Sequence, residues 1–151
     1  MKIILLAGNA NMGKTSTMIQ LYNELKKNDN MMKILEGEEP RFSEENTKKL
    51  KDFECLVSYK GKNIALHSTG DLYYNAMETI IKFADVADVL ILAYRTAFAK
   101  HPLDQAIKKS LGSNRVFYKD SQKPFDEGDC KKAQEIMECL NSIVLGGVKN
   151  A

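Results

Sequence analysis

One glycine-bounded stretch near the start of the chain constrains the fold most. Residues 8–15 read Gly-Asn-Ala-Asn-Met-Gly-Lys-Thr, which is the spacing G-x-x-x-x-G-K-T, and they follow directly on the apolar run of residues 3–7. A loop of this kind curls so that successive backbone N–H groups point at a phosphate, and glycine tolerates the conformations that this requires. The spacing therefore predicts a buried strand, a phosphate-binding loop, and a helix that begins at Gly13 or Lys14.

The chemistry expected of this loop gives each fixed residue a role. Lys14 would reach the β- and γ-phosphates of a nucleotide, and the Thr15 hydroxyl would bind magnesium. The N-terminus of the following helix would add its dipole and its unpaired N–H groups to the same anion. The predicted phosphate contacts are Gly8, Asn9, Ala10, Asn11, Met12, Gly13, Lys14, Thr15 and Ser16. The predicted cofactors are ATP or GTP together with Mg²⁺.

Strand and helix patterns alternate along the rest of the chain. Apolar runs indicate strands at residues 1–7, 31–35, 88–94 and 115–118, and a β-hairpin at residues 53–59 and 64–67. Apolar stripes indicate helices at residues 14–27, 72–85 and 102–111, a short one at 44–50, and a last one that ends before Gly146. These patterns predict an α/β fold, namely a three-layer α/β/α sandwich with a mostly parallel five-stranded sheet and one inserted hairpin. Residues 1–151 are predicted to form one domain.

The composition of the 151 residues limits the partners. The net charge of +2 is too small to indicate a nucleic acid or membrane surface, and no apolar run is long enough to span a bilayer. The three cysteines, Cys55, Cys130 and Cys139, form no C-x-x-C pair, which indicates reduced thiols rather than disulfides or a zinc site. We therefore expect a cytoplasmic protein whose partner is a nucleotide, with no membrane partner and no support for nucleic acid.

In a sheet of this type ligands bind beyond the carboxyl ends of the strands. The segments expected around one pocket are residues 8–15, 36–41, 67–71, 95–101 and 119–123. The candidate catalytic residues are Lys14, Asp71 and Arg95, and the candidate metal ligands are Thr15 and Asp71.

Three of the pocket residues have two interpretations each. Asp71, expected just past the strand next to that of the glycine-rich loop, would hold the water shell of magnesium or cap the following helix. Arg95 would stabilise charge on a transferring phosphoryl group, or form a salt bridge with Asp88, Asp71 or another surface acid. His67 would contact the γ-phosphate or be hydrogen-bonded in the core.

On these features the chain resembles the P-loop NTPase superfamily, in pattern over nearly its whole length and in specific motif over residues 8–15. The hairpin before residues 64–71 also resembles the second and third strands of Ras-like GTPases. That resemblance implies a magnesium-holding aspartate in a D-x-x-G motif at the end of the strand, but His67 stands in its place. The guanine-reading motif Asn-Lys-x-Asp is also missing from residues 117–120, so a regular GTPase is disfavoured.

The sequence favours a magnesium-dependent protein that binds ATP, hydrolyses it slowly and acts as a switch. A further likeness is to small-molecule kinases that carry a Glu or Arg-Glu-Pro group after the second strand. It gives a first alternative, a small nucleoside or nucleotide kinase with Glu36 or Glu39 near the phosphate acceptor. A non-hydrolysing nucleotide-binding module is the second alternative, because of the missing aspartate at His67. Completion of the site by a second copy or another protein stays open.

Overall fold

A computed structural model describes residues 1–8, 14–40, 51–71, 73–95, 116–118 and 127–149. The strands are β1 (Lys2–Gly8), β2 (Lys33–Gly37), β3 (Glu54–Tyr59), β4 (Lys62–Asp71), β5 (Val89–Arg95) and β6 (Val116–Tyr118). The helices in these ranges are α1 (Lys14–Asn28), α2 (Tyr73–Phe83) and α3 (Glu127–Lys149). The helices predicted at residues 44–50 and 102–111 lie outside the described residues.

All six strands belong to one open, mixed sheet in the order β2-β3-β4-β5-β1-β6. β5 pairs in parallel with both β1 and β4, and β6 pairs in parallel with β1. β3 is antiparallel to both β2 and β4. The α/β class is confirmed, but the sheet is mixed and has six strands, where the sequence predicted a mostly parallel sheet of five. The difference arises because β3, the first arm of the hairpin, pairs with β2 and β4 within the sheet instead of lying in an insertion beside it.

Helices pack on both faces of this sheet. Alternate residues of a strand point to opposite faces, so Ile4 and Leu6 of β1 belong to the core under α1 and α3, whereas Leu5 belongs to the core under α2. The strands β1 and β5 are therefore buried on both sides, as their continuous apolar runs predicted. Both are interior strands, flanked by β4 and β6, and they carry the candidate site at their carboxyl ends.

The helices follow the predicted apolar stripes. Met18, Leu21, Tyr22 and Leu25 of α1 are all buried, and Ala133, Ile136, Met137 and Leu140 of α3 pack into the same core. The predicted end of the last helix is wrong, because α3 runs through Gly146 to Lys149. A glycine inside a helix costs only about 1 kcal/mol relative to alanine, which does not stop a long packed helix. None of these three helices is long and apolar enough to cross a membrane.

Candidate functional site

The site is built at the carboxyl edge of the central strands. Because β1, β4 and β5 are parallel, they end at the same edge, and Gly8 at the end of β1 lies opposite Arg95 at the end of β5. Helix α1 begins at Lys14, six residues after Gly8. The antiparallel strand β3 begins at this edge rather than ending there. Residues that precede β3 are therefore brought to the same place as residues that follow the parallel strands.

Lys14 joins the two ends of the glycine-rich loop. Its ammonium Nζ donates a hydrogen bond of 2.7 Å to the carbonyl oxygen of Gly8, and the residue is 6% exposed. Burial, and after it the positive charge of Arg95, lowers the pKa of Lys14 to about 8, while the charge of Asp52 acts in the opposite direction. A buried cation beside a second cation is an environment that an anion would stabilise. Residues 9–13 of the predicted loop lie outside the described residues.

Arg95 carries a buried donor that no described residue accepts from. Its Nε is buried and has no hydrogen-bond partner among the residues that the structure describes. A buried N–H without an acceptor is unfavourable, so a phosphate oxygen at this position would be stabilised. The alternative salt bridge with Asp88 is wrong: Asp88 precedes β5, and a strand of seven residues places it roughly 20 Å away at the other edge of the sheet. The Asp88 carboxylate instead accepts a 2.8 Å hydrogen bond from the Asn63 backbone N–H.

Asp52 is a site residue that the sequence reasoning missed. The Thr15 hydroxyl donates a hydrogen bond of 2.5 Å to Asp52 Oδ1. The segment of Asp52 is held by the buried Ser68, whose hydroxyl accepts from the Phe53 N–H at 2.7 Å and whose own N–H donates to the Phe53 carbonyl at 3.0 Å. The Ser68 hydroxyl also lies 3.5 Å from Asp52 Oδ1. The predicted hairpin carried a usable signal, because its first arm must begin at the edge where its second arm ends, and Asp52 directly precedes that first arm.

Asp71 does not follow a strand next to β1, contrary to the expectation. It is the last residue of β4 itself, and β5 lies between β4 and β1. In the sheet register Asp71 pairs with Tyr94, which in turn pairs with Ala7. Two strand spacings put the Cα atoms of Asp71 and Ala7 roughly 10 Å apart. The side chain of Asp71 lies outside what the structure describes, so its roles as metal ligand and helix cap stay predictions.

His67 lies on the other face of the sheet from Lys14. Its Nδ1 is 2.8 Å from Glu54 Oε1, and the second carboxylate oxygen of Glu54 binds Lys82 of α2. Burial raises the pKa of Glu54, but the hydrogen bonds from Lys82 and His67 outweigh it, so that pKa is lowered. The structure therefore places His67 in a hydrogen-bonded pair beneath α2, which is the second of its two predicted roles.

A cavity of about 180 Å³ adjoins Asp52. It is lined by Gly37, Glu38, Glu39, Lys51, Asp52, Phe53 and Glu54. The charge of Glu39, after burial, raises the pKa of Tyr22 on α1, and the ring of Tyr22 packs edge-on against Phe53 with centroids 6.3 Å apart. Glu39 thus lines the cavity beside Asp52, whereas Glu36 lines a separate cavity of about 100 Å³ beside Lys82.

The structure describes the remaining predicted site residues only in part. Ser16 is fully buried in the first turn of α1. Residues 96–101 and 119–123 lie outside the described residues. In the described ranges no group of three or more His, Cys, Asp or Glu side chains could hold a metal ion. Magnesium keeps several of its waters and often takes only one or two carboxylates from the protein, so Thr15 with one acid would suffice.

Comparison of the chain with protein-family models, with curated proteins and with solved structures found no match.

Proposed function

We propose that this protein is a P-loop NTPase that binds ATP or GTP with Mg²⁺ at the carboxyl edge of β1 and hydrolyses the γ-phosphate slowly. One observation carries the proposal. The two cations Lys14 and Arg95 meet where β1 and β5 end, and Arg95 holds a buried N–H that has no acceptor in the described part of the chain. A polyphosphate would supply an acceptor for the Arg95 Nε and further negative charge beside the two cations.

The residues have distinct tasks in this reaction. Lys14 would exchange the Gly8 carbonyl for phosphate oxygens and neutralise charge between the β- and γ-phosphates. Arg95 would donate to the oxygens of the transferring phosphoryl group, and the N–H groups at the start of α1 would bind the same polyphosphate. Thr15 and one carboxylate would hold Mg²⁺, which stabilises the developing negative charge. Phosphoryl transfer asks little else of a protein, because positioning and electrostatic stabilisation supply most of its catalysis.

Thermal denaturation tests the binding step. At a ligand concentration of 100 times Kd, mass action adds about 2.7 kcal/mol to the free energy of unfolding. For a chain of this size that gain corresponds to a rise in melting temperature of about 5–10 °C. We expect ATP or GTP with Mg²⁺ to produce this rise, and Lys14→Ala to abolish it. Lys27→Ala removes an exposed lysine from the far end of α1 and should leave the rise unchanged.

Phosphate release then separates the reactions. Slow release without an acceptor, lost in Lys14→Ala, supports hydrolysis. Tight binding with no release would leave a nucleotide-binding module. If neither ATP nor GTP raises the melting temperature in a way that Lys14→Ala removes, the proposed function is wrong.

The cavity beside Asp52 favours a small-molecule kinase as the second candidate. It places Glu39 next to Asp52, which is bonded to Thr15 of the phosphate site. Its volume of about 180 Å³ is below the roughly 300–1,000 Å³ of typical ligand pockets, so the acceptor would be smaller than a whole nucleoside or only partly enclosed. A kinase would form ADP rapidly only when a hydroxyl-bearing acceptor is added, and Glu39→Gln would slow that reaction without weakening nucleotide binding.

A further inference from the structure

We propose that Asp52, and not Asp71, is the acid that completes the magnesium site with Thr15. The inference rests on the proposed function, since it concerns the metal that would accompany the nucleotide. It differs from the sequence expectation in taking the acid from the beginning of an antiparallel strand instead of the end of a parallel one.

The hydrogen bond between Thr15 and Asp52 suits a shared metal site. A hydroxyl has one proton to donate and two lone pairs to offer. The Thr15 hydroxyl donates its proton to Asp52 Oδ1, and the two oxygens are 2.5 Å apart. The lone pairs of the Thr15 oxygen therefore stay available for a cation. Asp52 would thus orient the ligand oxygen and make it a better donor to the metal, as carboxylates bonded to metal ligands do. Asp52 is exposed at its other side, so its second oxygen can accept a hydrogen bond from a metal-bound water.

The position of Asp52 is fixed by the sheet before any ligand binds. The following residue, Phe53, exchanges two hydrogen bonds with Ser68 and is buried against Tyr22. Because Ser68 is fully buried in β4, the start of β3 cannot move away from α1 without breaking both bonds. A carboxylate held in this way loses little further freedom when the metal arrives, which favours binding.

Sheet register favours Asp52 over Asp71. Asp52 is hydrogen-bonded directly to Thr15, the residue expected to bind the metal. Asp71 belongs to a strand that β5 separates from β1, with its Cα roughly 10 Å from that of Ala7. A metal bound to Thr15 has a carboxylate in place at Asp52 and needs none from β4.

The test compares ATP affinity in excess Mg²⁺ with ATP affinity in EDTA, measured by titration calorimetry on the full chain. Asp52→Asn keeps the shape of the side chain and an oxygen acceptor for Thr15 but removes the charge. Loss of a residue that supports a metal ligand costs about 10- to 100-fold in metal affinity. We therefore expect the gain in ATP affinity from Mg²⁺ to fall at least tenfold in Asp52→Asn, with affinity in EDTA unchanged or tighter.

Asp85→Asn is the matched control for the loss of a negative charge. It should keep the wild-type gain in ATP affinity from Mg²⁺, because Asp85 is exposed and precedes β5, at the opposite edge of the sheet. Asp71→Asn tests the rival acid, since a metal held by Asp71 would lose the gain in that variant instead. A double-mutant cycle adds an independent measure. If Asp52 and Thr15 serve one metal, the double variant Thr15→Val with Asp52→Asn should lose no more of the Mg²⁺-dependent ATP affinity than the more affected single variant.

The outcomes separate this inference from the proposed function. If Mg²⁺ raises the ATP affinity of Asp52→Asn as much as that of the wild type, the inference is wrong. It is also wrong if Asp71→Asn loses this effect instead. Neither result affects the proposal that the chain binds a nucleotide. Wild-type binding of ATP that does not respond to Mg²⁺ overturns it as well. A wild-type chain that binds no nucleotide refutes the proposed function itself.

Discussion

Replacing Gly37 by alanine tests whether the wall of the cavity requires the close approach of β2 to β3. Gly37 has a φ of +82°, and a Cβ added to it would lie 2.3 Å from the carbonyl oxygen of Glu54 and 2.8 Å from Cys55 Cα. Both contacts are with backbone held by pairing between β3 and β4, so neither atom can turn aside as a flexible side chain would. Gly61 in the hairpin turn is a matched control, because its φ is +80° and its added Cβ meets nothing within 4 Å.

The expected losses follow from these two environments. The left-handed conformation costs a residue with a Cβ roughly 1–2 kcal/mol, and Gly61→Ala should lose about that amount of the free energy of unfolding. Gly37→Ala carries the same cost and must also move the end of β2 outward. That movement weakens the bond of 3.4 Å from the Glu38 N–H to the Glu54 carbonyl and the pairing of Gly37 with Cys55. At about 1 kcal/mol for each hydrogen bond, Gly37→Ala should lose about 1–2 kcal/mol more than the control.

Urea denaturation of the wild type and both variants measures these free energies. The smaller conformational entropy of an unfolded chain with alanine in place of glycine stabilises both variants alike, so it cancels in the comparison. Equal losses in Gly37→Ala and Gly61→Ala would refute the reasoning, because they would show that the close contact with Glu54 imposes no cost.

Two further predictions concern protonation and packing. Since the pKa of Lys14 is lowered to about 8 in the free protein, its proton is lost as the pH rises through that value, and ATP affinity measured by calorimetry should fall above it. Lys14→Arg keeps its charge throughout, so a persistent decline in that variant would count against Lys14 as the titrating group. Tyr59→Phe removes the 2.8 Å hydrogen bond from the buried tyrosine to Asn141 Oδ1 of α3, and should lower the free energy of unfolding by about 1 kcal/mol. The melting temperature should then fall by about 2–4 °C, and an unchanged value would mean that this bond does not help to hold α3 on the sheet.

The central part of the fold could be predicted from the sequence because its signals are local. β1 and β5 are buried on both faces, and their continuous apolar runs follow directly from that burial. The stripe of α1 repeats at helical spacing for the same reason. β2 was placed two residues early because it is an edge strand with mostly exposed residues, so burial imposes little pattern on it. The extent of α3 was missed because the weak helix propensity of a glycine costs only about 1 kcal/mol, which does not by itself end a helix.

The position of Lys14 and Thr15 was predictable for a different reason. Both residues directly follow the glycine-rich stretch in sequence, so their spacing alone brings them to the end of β1. Arg95 could be placed because it ends a strand whose apolar run was clear. Strand order is a tertiary property that no local pattern carries, which is why Asp71 was expected beside β1 although β5 lies between them.

The choice between the two acids shows how strand direction matters as much as strand order. Asp52 precedes the first arm of the hairpin and Asp71 ends the second, so antiparallel pairing brings both to the edge where β1 ends. A search confined to the ends of parallel strands considers only Asp71. When the start of β3 is included, Asp52 supplies an acid for the proposed metal, although His67 stands where the resemblance implied an aspartate. The carboxylate bonded to Thr15 comes from the neighbouring antiparallel strand, and the magnesium dependence of Asp52→Asn decides whether it takes over that role.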